Sequence, residues 1–343
     1  MALNIFEPEV STVTKGLKGK TIVIYGANRT GKTLNCSKAN KPVFLRFEDG
    51  LNAIGGVKNF PINKWSDWTS FVKQATNPAT LSKVQEMYET IVIDTIDRML
   101  ALGEEYICNL YGIQSVDRND DGKKAYGGHY KEYRTEVMKW INLLTNSGYT
   151  VIFIGHEDTR TLQDDKGQDY VKIYPKGDKK SVDFICDLSE IYYLVAQPND
   201  ENGKEVPSTL YAKGCSAFLA GSRFTHMPNS IPKWNMAKLE ETLIKAIEAE
   251  ESDSGLEADT HEEAMEKKEA KRKNASAKVS VETLIETIGS KLEAMNENEG
   301  SLETYYTILE EELGNREFKA MNATEKQREQ IEQILAALEA RGY

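Results

Sequence analysis

The chain has 343 residues, 40% of them apolar and 28% charged, with a formal net charge of −11; that is room for two domains, or for one large domain with an appendage, around a sizeable core. The opening MALNIFEPEV lacks the basic start and apolar run of a secretion signal, and no apolar run approaches the roughly 18 residues of a membrane span. Four cysteines without CxxC spacing (Cys36, Cys108, Cys186, Cys215) argue against a zinc site and a disulfide framework, so the expected setting is a reducing cytoplasm with no membrane partner.

The charge is unevenly distributed. Residues 251–343 hold 22 acidic and 12 basic side chains, whereas residues 1–250 hold 32 and 31. The acidity belongs to the C-terminal quarter, and the overall charge says little about the rest.

In chain order, KTIVIYG, PVFLRFE, ETIVIDT, YTVIFIGH and SEIYYLVA each read as a buried strand, being short, β-branched and apolar between turn residues or charges. Helical patterns alternate with them, after Gly31 and in EYRTEVMKWINLL. This alternation predicts an α/β fold with a mostly parallel sheet flanked by helices. From about 237 the pattern changes to the amphipathic AKLEETLIKAIEAEE and then to a polar stretch ending near 278. VSVETLIETIGSKLEAM, SLETYYTILEEELG and TEKQREQIEQILAALEARG follow as three amphipathic helices, enough for a small bundle. The expected organisation is a core over 1–236 with a short N-terminal arm, a helix and charged flexible linker over 237–280, and an acidic helical domain over 281–343.

Between the first strand and the following helix, Gly26-Ala27-Asn28-Arg29-Thr30-Gly31-Lys32-Thr33 matches G-x-x-x-x-G-K-[ST], the phosphate-binding loop. Glycines let the backbone approach phosphates, a helix N-terminus favours negative charge, and Lys32 reaches the β- and γ-phosphates. The Thr33 hydroxyl holds Mg²⁺, and Leu34 closes the predicted nucleotide-binding run. Ile91-Val92-Ile93-Asp94 is an apolar strand ending in a carboxylate, the second feature of such sites, where Asp94 acts on the metal through its water shell. Asp97, shortly after it, reads as a helix cap.

Val43-Phe44-Leu45-Arg46-Phe47-Glu48-Asp49-Gly50-Leu51 resembles the second core strand of RecA-type ATPases. With the phosphate loop, IVIDTIDRM and VIFIGHEDT, residues 15–230 are similar to RecA/RadA cores in element order and spacing. The compact RecA-like ATPases of bacteriophages, associated with single-strand annealing and recombination, are the nearest likeness. The resemblance implies that Glu48 polarises the water attacking the γ-phosphate, with Asp49 as fallback. It implies that His156 stands where relatives carry a polar sensor, and that a basic residue, Arg223 or Lys213, completes a neighbouring subunit's site. Neither the N-terminal docking helix of RecA nor the zinc module of RadA is legible in the short arm 1–19, and the resemblance assigns the C-terminal bundle no role.

The resemblance also implies single-stranded DNA contacts from two segments after the metal-binding Asp. The first contains Lys123, Lys124, Tyr126, Tyr130, Lys131 and Arg134, and the second Lys172, Lys176, Lys179 and Lys180. Cations suit phosphates and tyrosine faces suit bases; the alternative is that both are solvated loops, or that 130–144 is a helix with its aromatics in the core. The expected activity is Mg²⁺-dependent ATP hydrolysis by a ring or filament with nucleotide at subunit interfaces. Its partners would be single-stranded DNA and phage single-strand-binding or replication proteins. A non-catalytic ATP-binding annealing or loading protein and a hexameric helicase core are the rival readings.

Overall fold

The computed structural model describes residues 13–50, 54–118, 128–196, 207–255, 258–259, 263, 281–296, 301–324 and 327–340. The chain divides into two compact units, one spanning Val13–His261 and the other containing Glu262–Tyr343.

The larger unit is built on one sheet. Strand β1 (Thr21–Gly26) lies between β5 (Thr150–Gln163) and β7 (Ile191–Ala196), parallel to both. Beyond β5 come β4 (Thr90–Asp94), β2 (Pro42–Arg46) and β3 (Asn59–Pro61), all parallel. The short strands β8 (Thr209–Tyr211), β9 (Gly221–Ser222) and β10 (Ser230–Ile231) run antiparallel on the β7 side. All five strands expected from the sequence are present, and the architecture is the expected α/β core with a mostly parallel central sheet flanked by helices.

The strands alternate their side chains between two apolar layers, as period-two geometry requires. Val23, Tyr25, Val43, Leu45, Ile91, Ile93 and Phe153 face one layer. Helices α2 (Trp65–Ala75), α4 (Ile96–Tyr111), α5 (Tyr130–Thr145) and α6 (Lys179–Leu188) cover it with Trp68, Met99, Val137, Ile141 and Ile185; α3 (Leu81–Met87) adds partly buried Leu81 and Val84. Ile22, Ile24, Phe44, Val92, Ile152 and Ile154 face the other layer, with Cys36 of α1 (Lys32–Cys36) and with Leu239, Leu243, Ala246 and Ile247 of α7 (Met236–Ser254). Both strand faces are covered, which explains the unbroken apolar runs.

The core does not end at 236. The apolar stripe of α7 is fully buried in this layer, each large aliphatic side chain contributing about 1.5–3 kcal/mol. In the last turn of the helix Glu251 pairs with Lys15 Nζ at 3.0 Å and accepts the Ala258 amide, and past the helix Asp259 bridges to Thr14. The helix assigned to 237–280 is therefore part of this unit. Most of the linker expectation lies outside the described residues.

In the smaller unit α8 (Val281–Asn296), α9 (Ser301–Leu313) and α10 (Arg328–Ala340) share a core of their own. Val281, Leu284, Ile288, Tyr305, Ile308, Leu309, Ile331, Ile334 and Leu338 fill it, at three- and four-residue spacings that put them on one face of each helix.

Candidate active site

The phosphate loop leaves β1 at Gly26, whose φ of +150° and close approach to the next strand exclude any side chain: a Cβ there would lie 2.3 Å from the Val195 carbonyl oxygen. Gly31, at φ +81°, turns the chain into α1. That helix has only five residues, so its macrodipole is short and the loop's own groups with Lys32 supply most of the positive field. Lys32 is buried, and its Nζ donates to the carbonyls of Gly26 (2.8 Å) and Ala27 (2.6 Å). Burial lowers its pKa, opposed chiefly by the Asp94 charge.

Thr33 Oγ1 donates to Asp94 Oδ2 at 3.1 Å. Asp94 ends β4, is 4% exposed, and is pushed up to about 6, first by burial and further by the Glu48 charge, with the Thr33 hydrogen bond and Lys32 opposing. A hydroxyl and a buried carboxylate side by side form a hard oxygen set that suits Mg²⁺, an ion that takes few protein ligands and completes its shell with water and phosphate. Among the described residues no group of three or more His, Cys, Asp or Glu side chains gathers as a metal cage.

Strand pairing brings Glu48 to this pair. Arg46 of β2 is opposite Asp94, the Phe47 amide donates to the Asp94 carbonyl at 2.8 Å, and Glu48 follows at the strand end. Its carboxylate lies 3.7 Å from His156 Nε2 and 3.9 Å from Arg98 Nε. Asp49 turns away into an exposed 2.7 Å ion pair with Arg46. His156 stands opposite Gly26 in the β1–β5 ladder, and its Nδ1 is 3.1 and 3.2 Å from the two Asp97 oxygens. That hydrogen bond raises the histidine above its ordinary value, against burial.

These groups line two adjoining clefts. The larger, about 630 Å³, is bounded by Asn28–Leu34, Glu48, Gly50, Ile54, Asp94, Thr95, Ile154 and His156. The second, about 570 Å³, is bounded by Gly26, Ala27, Asn28, Glu48, Asp97, Arg98, His156, Glu157 and Lys176. Asn28, Glu48 and His156 belong to both walls. Concave volumes of this size fit a small-molecule ligand.

The nucleic-acid candidates divide differently. Lys123, Lys124 and Tyr126 lie outside the described residues. Tyr130, Lys131 and Arg134 open α5 rather than a loop. Arg134 makes a bidentate fork to Asp178 (3.0 and 3.1 Å) and stacks 4.8 Å over Tyr130, while Asp178 caps α6 through the Ser181 amide. The second segment is likewise ordered. Beyond the sheet, β5 forms a hairpin with β6 (Asp169–Pro175), which carries Lys172. Lys176 follows it, its amide donating to the His156 carbonyl at 2.8 Å, and lines the second cleft. Lys179 and Lys180 are exposed at the start of α6. Arg223 donates to the Asp187 carbonyl at 2.5 Å, and neither it nor Lys213 lines either cleft; both are exposed.

Asp97 is not the cap of α4. The N-cap position belongs to Thr95, and Asp97 faces His156 from the first turn. Arg98 had no signal in the sequence beyond adjacency to the Asp94 strand.

An AAA domain family model (AAA_24) matches residues 18–224. The chain belongs to this AAA domain family. It is a P-loop NTPase with a nucleotide-binding core. The SPbeta prophage-derived uncharacterized protein YorG of Bacillus subtilis (strain 168) is 39% identical over 332 residues, spanning 96% of this chain and 95% of that protein. Among solved structures, the KaiC-like protein PH0186 from Pyrococcus horikoshii OT3 aligns with 59% of this chain and 88% of its own, at 13% identity and a TM-score of 0.32. None of the AAA-domain protein's described helices is long and apolar enough to cross a membrane.

Proposed function

We propose that the chain is a phage-type, Mg²⁺- and ATP-dependent RecA-like ATPase that binds single-stranded DNA and promotes annealing or strand exchange. The observation that carries the hydrolytic part is Glu48, whose carboxylate shares a cleft with Lys32, Thr33 and Asp94 yet stays off the Thr33–Asp94 pair. A general base must reach the attacking water without being consumed as a metal ligand.

Lys32 would exchange the Gly26 and Ala27 carbonyls for β- and γ-phosphate oxygens. Thr33 and Asp94 would hold Mg²⁺, which neutralises phosphate charge when bound. Glu48 accepts the proton of the water, and His156, hydrogen-bonded to Asp97, responds to the γ-phosphate beside Glu48. Exposed Lys213, and Arg223 once it leaves the Asp187 carbonyl, lie outside their own chain's clefts and would reach a neighbour's nucleotide in a ring or filament.

Support for a nucleic-acid role comes from the exposed Lys179 and Lys180, from Lys172 and half-buried Tyr170 on the β6 strand, and from the likeness to a prophage-derived protein. The test is phosphate release with and without single-stranded DNA, duplex DNA and RNA, with DNA binding measured in parallel. Stimulation by single strands is expected. No binding to single strands at low salt with ATP present would sink the recombination reading.

A further inference from the structure

We propose that Asp97 is a positioning residue that fixes the His156 imidazole with Nε2 directed at Glu48 in the phosphate cleft. The proposal rests on reading Glu48 and His156 as hydrolytic groups, and adds to it a residue outside the phosphate loop and metal pair.

The geometry gives each ring nitrogen one carboxylate. Nδ1 meets both Asp97 oxygens, at 3.1 and 3.2 Å, while Nε2 looks to Glu48 at 3.7 Å. Both ends of the Asp97–His156 pair are anchored. Asp97 sits in the first turn of α4, between Ile96 and the buried Met99 and Leu100, which lock that turn into the core. The backbone of His156 is held by the ladder to Gly26 and by the Lys176 amide. The ring keeps only its side-chain torsions, and the Asp97 contact removes them. A carboxylate behind an imidazole sets which nitrogen carries the proton and stabilises the charged ring.

The surrounding charges are mixed. Glu48 faces Nε2 and is itself 3.9 Å from Arg98, the Lys32 charge acts on the ring from the phosphate loop, and Arg98, Glu157 and Lys176 line the same cleft. Among them Asp97 is the group in hydrogen-bond contact with the ring. A helix-capping role would leave the imidazole indifferent to Asp97. A positioning role makes its titration and its catalytic effect depend on that carboxylate.

The experiment uses the full chain with Asp97→Asn, Asp97→Glu, His156→Gln and the Asp97→Asn/His156→Gln double variant. Turnover is followed against pH, nucleotide affinity by equilibrium binding, and imidazole titration by NMR. The chain has four histidines, and the signal missing in His156→Gln assigns the one that matters. In Asp97→Asn, His156 should titrate at lower pH than in the wild type. kcat should fall at least about tenfold, with nucleotide affinity within about twofold and KM little changed. Asp97→Glu should restore part of the rate, and Asp97→Asn should cost nothing further in the His156→Gln background.

An unchanged His156 titration in Asp97→Asn would overturn the proposal. So would an equal loss of rate in the presence and absence of His156, which would assign Asp97 to the stability of α4. A wild-type protein without turnover would overturn the hydrolytic reading instead, and the titration would still decide the role of Asp97.

Discussion

Thr33 Oγ1 donates a 3.1 Å hydrogen bond to Asp94 Oδ2, joining the end of the phosphate loop to the end of a strand 61 residues later. Two oxygens suited to a hard cation thus meet beside Lys32, in a pocket that withholds water from Asp94. Its buried carboxyl ionises reluctantly, and the nucleotide-free protein carries that cost.

Asp94→Asn should accordingly stabilise the free protein while weakening Mg²⁺-nucleotide binding. The folded-state value is raised, to about 6 from an ordinary 3.8. The folded form therefore holds this proton more tightly than the unfolded chain. The contribution favours folding at low pH and is lost as pH rises from near 4 through about 6. The variant should gain about 1–3 kcal/mol of stability at pH 8 and little at pH 4, read by denaturant unfolding at both. A variant less stable than wild type at pH 8 would contradict this.

Lys32→Ala should leave the far-ultraviolet spectrum unchanged and weaken ATP binding at least about a hundredfold, roughly 2.7 kcal/mol. Titration calorimetry measures it. The lost group is the buried ammonium that folds onto the Gly26 and Ala27 carbonyls.

Glu48→Gln should bind ATP as tightly as wild type and lose at least about tenfold in turnover, about 1.4 kcal/mol in the barrier. Asp49→Asn should keep wild-type rates, because its carboxylate is exposed and engaged by Arg46 away from the clefts. Rapid phosphate-release kinetics on the pair distinguish the two acids, and a reversed result would move the base to Asp49.

The basic residues should separate by what they touch. Replacing Lys172, Lys179 and Lys180 together should flatten the salt dependence of single-strand binding, since each lost phosphate contact releases fewer counterions. Arg134→Ala should leave that slope alone and destabilise the fold by about 1 kcal/mol, because its guanidinium is committed to Asp178 at the head of α6. Binding isotherms at several salt concentrations, beside thermal melts, check both.

If the core binds single strands as proposed, a tethered acidic C-terminal quarter is expected to compete with DNA, since tethering keeps its local concentration high. Ending the chain after residue 261 should preserve nucleotide binding and tighten single-strand binding at low salt, the gain shrinking as salt screens the charges. Ending at 250 would instead remove Glu251 and with it the Lys15 and Ala258 contacts. Unchanged or weaker DNA binding in the folded 261-residue form would favour a docking role for the bundle.

Local pattern alone determined the phosphate loop, the five strands and the three C-terminal amphipathic helices. A strand covered on both faces must be continuously apolar, and a loop that wraps phosphate needs glycines and lysine at set spacing. Glu48 and His156 were legible only through resemblance, because a strand-end carboxylate or histidine has no distinctive local signal. Contacts across the fold decided the rest. Asp97 and His156 are 59 residues apart, and Arg134 and Asp178 are 44, so their pairing depends on strand order and helix placement. The same holds for Lys176, which a linear reading assigns to a DNA loop and the β5–β6 hairpin returns to the wall of the second cleft, beside Gly26 and His156. Membership of α7 in the core was a tertiary outcome too. Its amphipathic period announces a buried face, and only packing reveals that the sheet, rather than the C-terminal bundle, covers it.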